Sequence, residues 1–562
     1  MTAVRPAPET HDRRWRADRP GRWWSEPPGR VVRRGLGFGG SIGLVLLFCL
    51  SLTPSLLPRH WVLQGVLSGI TGTIGYGVGA GVGALARTVW PRLPPPSPRA
   101  WQVLAGVSGG LMVVFLLLGD AWQREVRELV GLAPATGWSP LLIAAVAAVV
   151  FGVLLLAARG VRLATRKLAG TIARFSPRPV ASVAAVTVVI FSSYVLTQEV
   201  VVTGFVDAAG RVASAASSVT PPGVDRPDSP YRSGGPGSLV PWETLGRYGR
   251  EFTAGAVPRA ELAAFTGEAA KEPVRVYVGQ KSAAGLDARV DLAVRELRRT
   301  GGFDRGVLAV VVTTGTGWVN PAVPRALEYL SGGDSAVVAM QYSYLPSWIS
   351  YLADRSTVAE AAAALIKAVR AELATVPASQ RPELVVYGES LGAFGIEQAF
   401  GSLPELIVGT DGALLVGPPH TSPIWQGLVA SREGDSPVWQ PVHRGSVRFA
   451  QDGTELSNGG RPRVVYLQNA TDPVVWWSPQ LLYQEPAWLE ESRGSGVSGA
   501  MRWYPLVTFW QVTVDTVTST TVPPGHGHNY RESIADAWAA MLDPPGWTDA
   551  DTARLRSVLT RE

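Results

Sequence analysis

Residues 383–400 read Glu-Leu-Val-Val-Tyr-Gly-Glu-Ser-Leu-Gly-Ala-Phe-Gly-Ile-Glu-Gln-Ala-Phe. The apolar run 383–388 predicts a strand, and the stretch after Ser390 predicts the start of a helix. Between them, Gly388-Glu389-Ser390-Leu391-Gly392 forms a G-x-S-x-G turn. A serine in that turn is held on strained backbone, so its hydroxyl projects above the sheet. Small residues two before and two after it avoid a collision within the turn. The helix N-terminus behind it favours negative charge. Ser390 is therefore the candidate nucleophile.

A nucleophilic serine of this kind takes its partners in the order Ser, acid, His. The run 463–468, Arg-Val-Val-Tyr-Leu-Gln, predicts a later strand, and Asp472 follows it in the loop Asn469-Ala470-Thr471-Asp472-Pro473. Asp472 is the candidate acid. The chain has six histidines, two of them in Gly525-His526-Gly527-His528-Asn529-Tyr530. His528 directly precedes the predicted closing helix 531–542 and is the preferred base, with His526 as the alternative. A metal site at these two histidines lacks a supporting ligand set. No metal and no cofactor is expected. Negative charge on the substrate oxygen requires two backbone donors. One is the N–H of Leu391. The other belongs to the loop Thr313-Thr314-Gly315-Thr316-Gly317-Trp318, with Thr316 as the candidate.

Around these residues, predicted strands at 274–278, 306–312, 335–343, 383–388, 412–417 and 463–468 alternate with helical patterns at 286–299, 321–331 and 354–375. Asp354 is the expected cap of the last. Strands alternating with helices predict a doubly wound, mostly parallel sheet. Residues 419–462 and 478–521 do not fit that sheet. Their aromatic residues, Trp425, Trp439 and the run Met-Arg-Trp-Tyr-Pro-Leu-Val-Thr-Phe-Trp (501–510), are candidates for a lid, an acyl pocket or a membrane-facing surface. Trp476 and Trp477 follow the acid. Core packing is the plain alternative for all of them.

The Gly-Glu-Ser-Leu-Gly turn, the Asp-Pro-Val-Val loop and the Gly-His-Gly-His-Asn-Tyr loop resemble the α/β-hydrolase superfamily. The whole chain resembles an actinobacterial family that joins an N-terminal multi-span region to an α/β-hydrolase domain. The resemblance implies that fold and a Ser-Asp-His triad, and it leaves the substrate open.

The rest of the chain is of another kind. Of 562 residues, 17% are charged, against about 25% in soluble proteins. The mean hydropathy is +0.14. The single cysteine, Cys49, excludes an internal disulfide and a dithiol redox centre. The net charge of +6 resembles a nucleic-acid signature, but nine arginines precede residue 35 and lead into an apolar run. The basic excess thus lies beside a membrane, and no nucleic-acid partner is expected. Apolar stretches at about 36–58, 61–86, 101–119, 138–158 and 180–203 predict five transmembrane helices. Glycines 65, 69, 72, 75, 79 and 83 in the second predict close helix packing. Arginines concentrate in the tail and in the second and fourth connections, which places these in the cytoplasm. The arginine-rich segment 159–175 reads as an amphipathic helix on the inner leaflet or as a short basic loop helix that only sets topology.

The expected organisation is a basic cytoplasmic tail (1–34), a membrane domain (35–206), a Pro/Gly/Ser-rich linker (207–240) and an extracytoplasmic α/β-hydrolase domain (241–562). The expected activity is that of a serine hydrolase, esterase- or lipase-like, or an acyltransferase. Its expected partner is a lipid or other ester near the membrane. An inactive scaffold and an accessory domain of a transporter are the competing readings. The absence of charge in the middle of the apolar stretches disfavours an ion-coupled transporter.

Overall fold

Seven short apolar segments pair into a single sheet in the computed structural model, which describes residues 35–134, 139–196, 203–345, 349–351, 355–456 and 460–560. They are β1 (Val274–Val278), β2 (Val307–Val312), β3 (Ser335–Met340), β4 (Glu383–Glu389), β5 (Gly412–Val416), β6 (Val447–Ala450) and β7 (Val464–Leu467). Their order is β1-β3-β2-β4-β5-β7-β6, and every neighbouring pair is parallel. Helices cover both faces. β1, β3 and β5 are buried along their whole length, which is why these segments are continuous apolar runs and show no alternation. The register places Val310 opposite both Val338 and Val386. The chain lays β3 on one side of β2 and β4 on the other. That reversal opens a crevice beyond the C-terminal ends of β2 and β4. Ser390 is the first residue after β4.

The expected helices at 286–299 and 354–375 occur as Leu286–Arg299 and Arg355–Leu373. Asp354, the expected cap, lies outside the described residues. Two expectations are corrected. Residues 419–462 do contribute to the sheet, because β6 forms its edge beside β7. A four-residue edge strand whose partner comes later in the chain leaves little periodic trace. The helix Ser533–Leu542 also does not close the domain: Asp549–Thr560 follows and buries Leu555 and Leu559.

The N-terminal region departs further from expectation. Its helices are α1 (Phe38–Ser51), α2 (Trp61–Val89), α3 (Pro98–Leu129), α4 (Pro140–Ile172) and α5 (Arg178–Val195). Among the described residues, three helices are long and apolar enough to cross a membrane: α3, α4 and α5. The five expected spans therefore reduce to three by this measure. α1 has 14 residues. At 1.5 Å per residue it reaches about 21 Å, short of a hydrocarbon core of about 30 Å. α2 is long enough, but its glycines and its buried Gln64, Ser68 and Thr71 dilute its apolar character.

Those glycines serve contact between helices. A Cβ on Gly43 would lie 2.1 Å from the Gly75 carbonyl oxygen, and one on Gly79 would lie 2.2 Å from that of Gly39. Only bare backbones allow α1 and α2 to approach so closely. The arginine-rich segment after residue 158 is helical as expected, but it continues α4 to Ile172 and is not a separate helix.

The second half of the first expected span is a buried wedge against the catalytic-type domain. Leu56 and Leu57 are fully buried and belong to the same core as the sheet. Burial of two leucines contributes about 3–6 kcal/mol. Their N–H groups donate to Asp515 Oδ2 at 3.1 and 3.4 Å. Arg59 Nε lies 3.4 Å from Asp515 Oδ1, with both side chains fully buried. Gln511 Nε2 donates to the Thr53 carbonyl at 3.0 Å. Asp515 and Gln511 lie on the helix Val507–Thr518, part of the insertion expected to form a lid. Burial, partly opposed by Arg59, raises the Asp515 pKa to about 6.

The expected linker is also structured. It begins with α6 (Thr203–Ser217), and residues 218–240 then form a strap docked on the sheet domain. Buried Glu296 accepts from Ser238 Oγ at 2.6 Å, Leu239 N–H at 3.0 Å and Ser233 Oγ at 3.3 Å. The composition lacks the apolar surface to fold alone, as read from sequence. Polar anchors on a carboxylate 57 to 63 residues away supply what the strap lacks.

Candidate functional site

β4 delivers Ser390 into the crevice with φ 55° and ψ −119°. Such a conformation costs a non-glycine residue about 1–3 kcal/mol and persists only where its surroundings enforce it. Here they do. The Ser390 N–H donates to the Val416 carbonyl at 2.8 Å, and the Ser390 carbonyl accepts from Phe394 N–H at 3.2 Å, starting the helix Leu391–Phe400. A Cβ on Gly388 would lie 2.3 Å from the Gly392 carbonyl carbon, and one on Gly392 would lie 2.3 Å from the Val312 oxygen. Both glycines of the motif are thus sterically required. The Leu391 N–H, at the helix N-terminus, has no acceptor among the described residues.

Asp472 caps the short helix Pro473–Trp476, its Oδ1 accepting from Val474 N–H at 2.8 Å. Its Oδ2 receives His528 Nδ1 at 2.7 Å and the Tyr530 hydroxyl at 2.6 Å. Asp472 is fully buried and His528 is 7% exposed. An Nδ1–H donated to the carboxylate leaves Nε2 as the basic lone pair. His528 Nε2 has no hydrogen-bond partner among the described residues, and no bond joins it to Ser390 Oγ. In hydrolases without substrate this bond is commonly open. Burial lowers the His528 pKa, but the charge and hydrogen bond of Asp472, with a further contribution from Glu389, outweigh it and raise the pKa overall.

His526 is not brought to the acid. It packs beside Gly496, where a Cβ would lie 2.9 Å from its Nδ1, and burial lowers its pKa. Of the two candidate histidines, the structure joins only His528 to Asp472. The Thr316 carbonyl accepts from Gln341 Nε2 at 2.9 Å, and the Gly317 carbonyl from the Tyr277 hydroxyl at 2.7 Å. These bonds hold the loop on its β1–β3 side. The positions that touch the serine turn are Val312 and Thr313, whose oxygens lie 2.3 and 3.6 Å from a Cβ on Gly392.

Several residues of the site were not singled out from sequence. Gly417, with φ 51°, lies flat against the imidazole: a Cβ there would be 2.4 Å from His528 Cε1 and 3.0 Å from Asp472 Oδ2. Its neighbour Val416 holds Ser390, so one backbone corner after β5 meets both nucleophile and imidazole. The acid and histidine loops are also stitched together. Asn469 Nδ2 donates to the Gly527 carbonyl at 2.9 Å, Gly527 N–H to Thr471 Oγ1 at 2.9 Å, and Asn469 N–H to the Tyr530 oxygen at 3.1 Å. Ser519, just past the helix that carries Asp515, accepts His528 N–H at 2.7 Å. Glu389 Oε2 accepts from the Tyr387 hydroxyl at 2.6 Å and Asn320 Nδ2 at 3.2 Å. Only the glycine that ends a predicted strand, at 417, left a local mark in the sequence.

The tryptophans divide. Trp425 and Trp476 are core residues at 2% exposure, bonded through their indole N–H groups to Gln468 and Ala470. Trp477 is half-buried and donates to Thr513 of the docking helix at 2.8 Å. Among the described residues, no three His, Cys, Asp or Glu side chains gather as a metal-binding group.

A family described as the alpha/beta-hydrolase family matches residues 274–555. The chain belongs to that family. The N-terminal region of an alpha/beta-hydrolase family matches residues 52–256, from the buried wedge through the docked strap. No curated protein and no solved structure matches the chain. Family membership fixes the fold and points to hydrolase activity in general.

Proposed function

We propose that this alpha/beta-hydrolase is a membrane-associated serine hydrolase or acyltransferase acting on a lipid or other ester. The observation that carries the reading is Gly417, where one backbone corner abuts the Asp472–His528 pair and its neighbour anchors Ser390. In the proposed reaction His528 Nε2 removes the Ser390 hydroxyl proton as Oγ attacks the ester carbonyl. The oxyanion is held by Leu391 N–H and a second donor from the loop 313–318, where Thr316 is the sequence candidate. Asp472 fixes the imidazole and stabilises its protonated form. His528 then protonates the departing alcohol, and water or another alcohol releases the acyl group from Ser390.

Three apolar helices support membrane association. The wedge 52–60 and the far end of α3 both contact the hydrolase domain, through Gln511 Nε2 to the Thr53 carbonyl at 3.0 Å and Ser498 Oγ to Glu125 Oε1 at 2.6 Å, and Arg59 N–H to Gln123 Oε1 at 2.7 Å joins the wedge to α3. These contacts fit a topology in which 52–60, the end of α3 and the hydrolase share one side of the membrane. The arginine distribution favours the extracytoplasmic side. The test is labelling of intact cells with a fluorophosphonate probe. Wild type should label and Ser390→Ala should not. Equal labelling of both, with the variant folded, removes the serine mechanism.

A further inference from the structure

Buried Arg275, Arg59 and Arg250 each have a counter-charge or several acceptors, whereas Arg289 has one acceptor and no counter-charge among the described residues. Arg275 pairs with Glu328 at 2.6 Å and Arg59 with Asp515 at 3.4 Å. Arg250 donates to four oxygens. Arg289, on the helix Leu286–Arg299, is 8% exposed and donates only to the Gln280 carbonyl, at 3.4 Å. Its Nε has no partner, and no carboxylate pairs with it among the described residues. Burial lowers its pKa, opposed only by nearby Tyr344. A buried guanidinium without a counter-ion is strongly unfavourable.

The groups next to Arg289 line a cleft of about 780 Å³ between α6 and the ends of β1 and β3. Gln280, Tyr344, Lys281 and Arg211 are on its wall, with Asp207 as the acid among the lining residues. Gln280 Oε1 is buried without a donor. Lys281 and Arg211 form no ion pair among the described residues. Two cations, Lys281 and Arg211, therefore face one carboxylate around an open cleft, and Arg289 stands behind its wall, bonded to the Gln280 carbonyl.

We propose that this cleft binds the anionic, phosphate-type head group of a membrane lipid, with Lys281 and Arg211 on its wall and Arg289 behind Gln280 supplying the charge. The source is argued from position. α6 follows α5, one of the three helices able to cross a membrane, so the cleft opens where the chain leaves the apolar region. All strands are parallel, so the cleft and Ser390 share one edge of the sheet. The cleft lies two to three strands from β4, roughly 10–14 Å at about 4.8 Å per strand. Resting on the hydrolase reading, this narrows the substrate class to lipids whose anionic group stands at about that distance from the reacting ester.

The full chain in non-ionic detergent, carrying Ser390→Ala to prevent turnover, would be titrated with dioctanoylphosphatidylglycerol and, separately, with inorganic phosphate. The lipid should bind saturably and at least about tenfold more tightly than phosphate. Adding Arg289→Met or Lys281→Met should weaken lipid binding about tenfold each. Arg289→Met should leave the melting temperature without ligand unchanged or higher, since it removes an unpaired buried charge. Equal lipid binding by the Arg289→Met protein, or a marked drop in its melting temperature, overturns the site. Equal affinity for phosphate and lipid overturns the lipid assignment. Because Ser390→Ala carries out no chemistry, these outcomes are independent of whether wild type labels with a fluorophosphonate.

Discussion

Gly417→Ala is the sharpest test of how the site is held together. The substitution adds one methyl group 2.4 Å from His528 Cε1 and 2.7 Å from its Nδ1. Ordinary carbon–carbon contact is about 3.5–4.0 Å, so the ring or the corner must give by about 1 Å. A misplacement of that size costs about 100-fold in rate. Alanine at the φ of 51° adds a backbone penalty of about 1–2 kcal/mol. The expected result is a folded protein, slightly less stable, whose kcat on a short-chain nitrophenyl ester falls about 100-fold with little change in KM. Fluorophosphonate labelling should slow in parallel. Gly427→Ala is the control, since a Cβ there meets nothing within 4 Å and the position is helical. It should leave activity intact. If Gly417→Ala keeps activity within about threefold of wild type while folded, the imidazole beside Gly417 is not the working base.

Other outcomes follow from the same geometry. His528→Ala should lower kcat by several orders of magnitude, while His526→Ala, which has no bond to Asp472 among the described residues, should cost about tenfold or less; the reverse pattern reassigns the base. The raised pKa of His528 puts the ascending limb of the pH–rate profile above the ordinary histidine value, because the base works only when neutral. Asp472→Asn removes the main opposing charge and lets burial dominate, so that limb should move to lower pH while kcat drops by up to about 10⁴-fold; an unmoved limb refutes the coupling. The linked stability has the opposite sense: the stabilisation of protonated His528 is present below its unfolded pKa and disappears as pH rises through the higher folded value. Asp515→Ala strands Arg59 in the interior and should destabilise the chain by about 3–5 kcal/mol, read by thermal melting of the full protein; a loss below about 1 kcal/mol means the wedge is not seated as described.

The sequence alone settled what depends on neighbours along the chain. The run 383–400 carries its own reason for a strand, a glycine-flanked turn and a helix, because each step is a local steric requirement. The buried strands announce themselves because a sheet covered on both faces needs unbroken apolar runs. Asp472 and the two histidines were placed by order after those strands, but order says nothing of which ring meets the carboxylate. That meeting spans 56 residues and depends on the cross-stitching of two loops by Asn469, Thr471 and Tyr530. The same limit explains the N-terminal region. Residues 52–58 are as apolar as a membrane span, and composition cannot distinguish a lipid environment from the underside of another domain. Only the tertiary structure, by placing Asp515 and Gln511 against that segment, decides between them. In the expected linker 207–240, the strap's anchor, Glu296, lies too far along the chain for any pattern to reveal it. Arg289 is the extreme case: in sequence it is one arginine on an amphipathic helix, and only its burial without a counter-charge among the described residues distinguishes it.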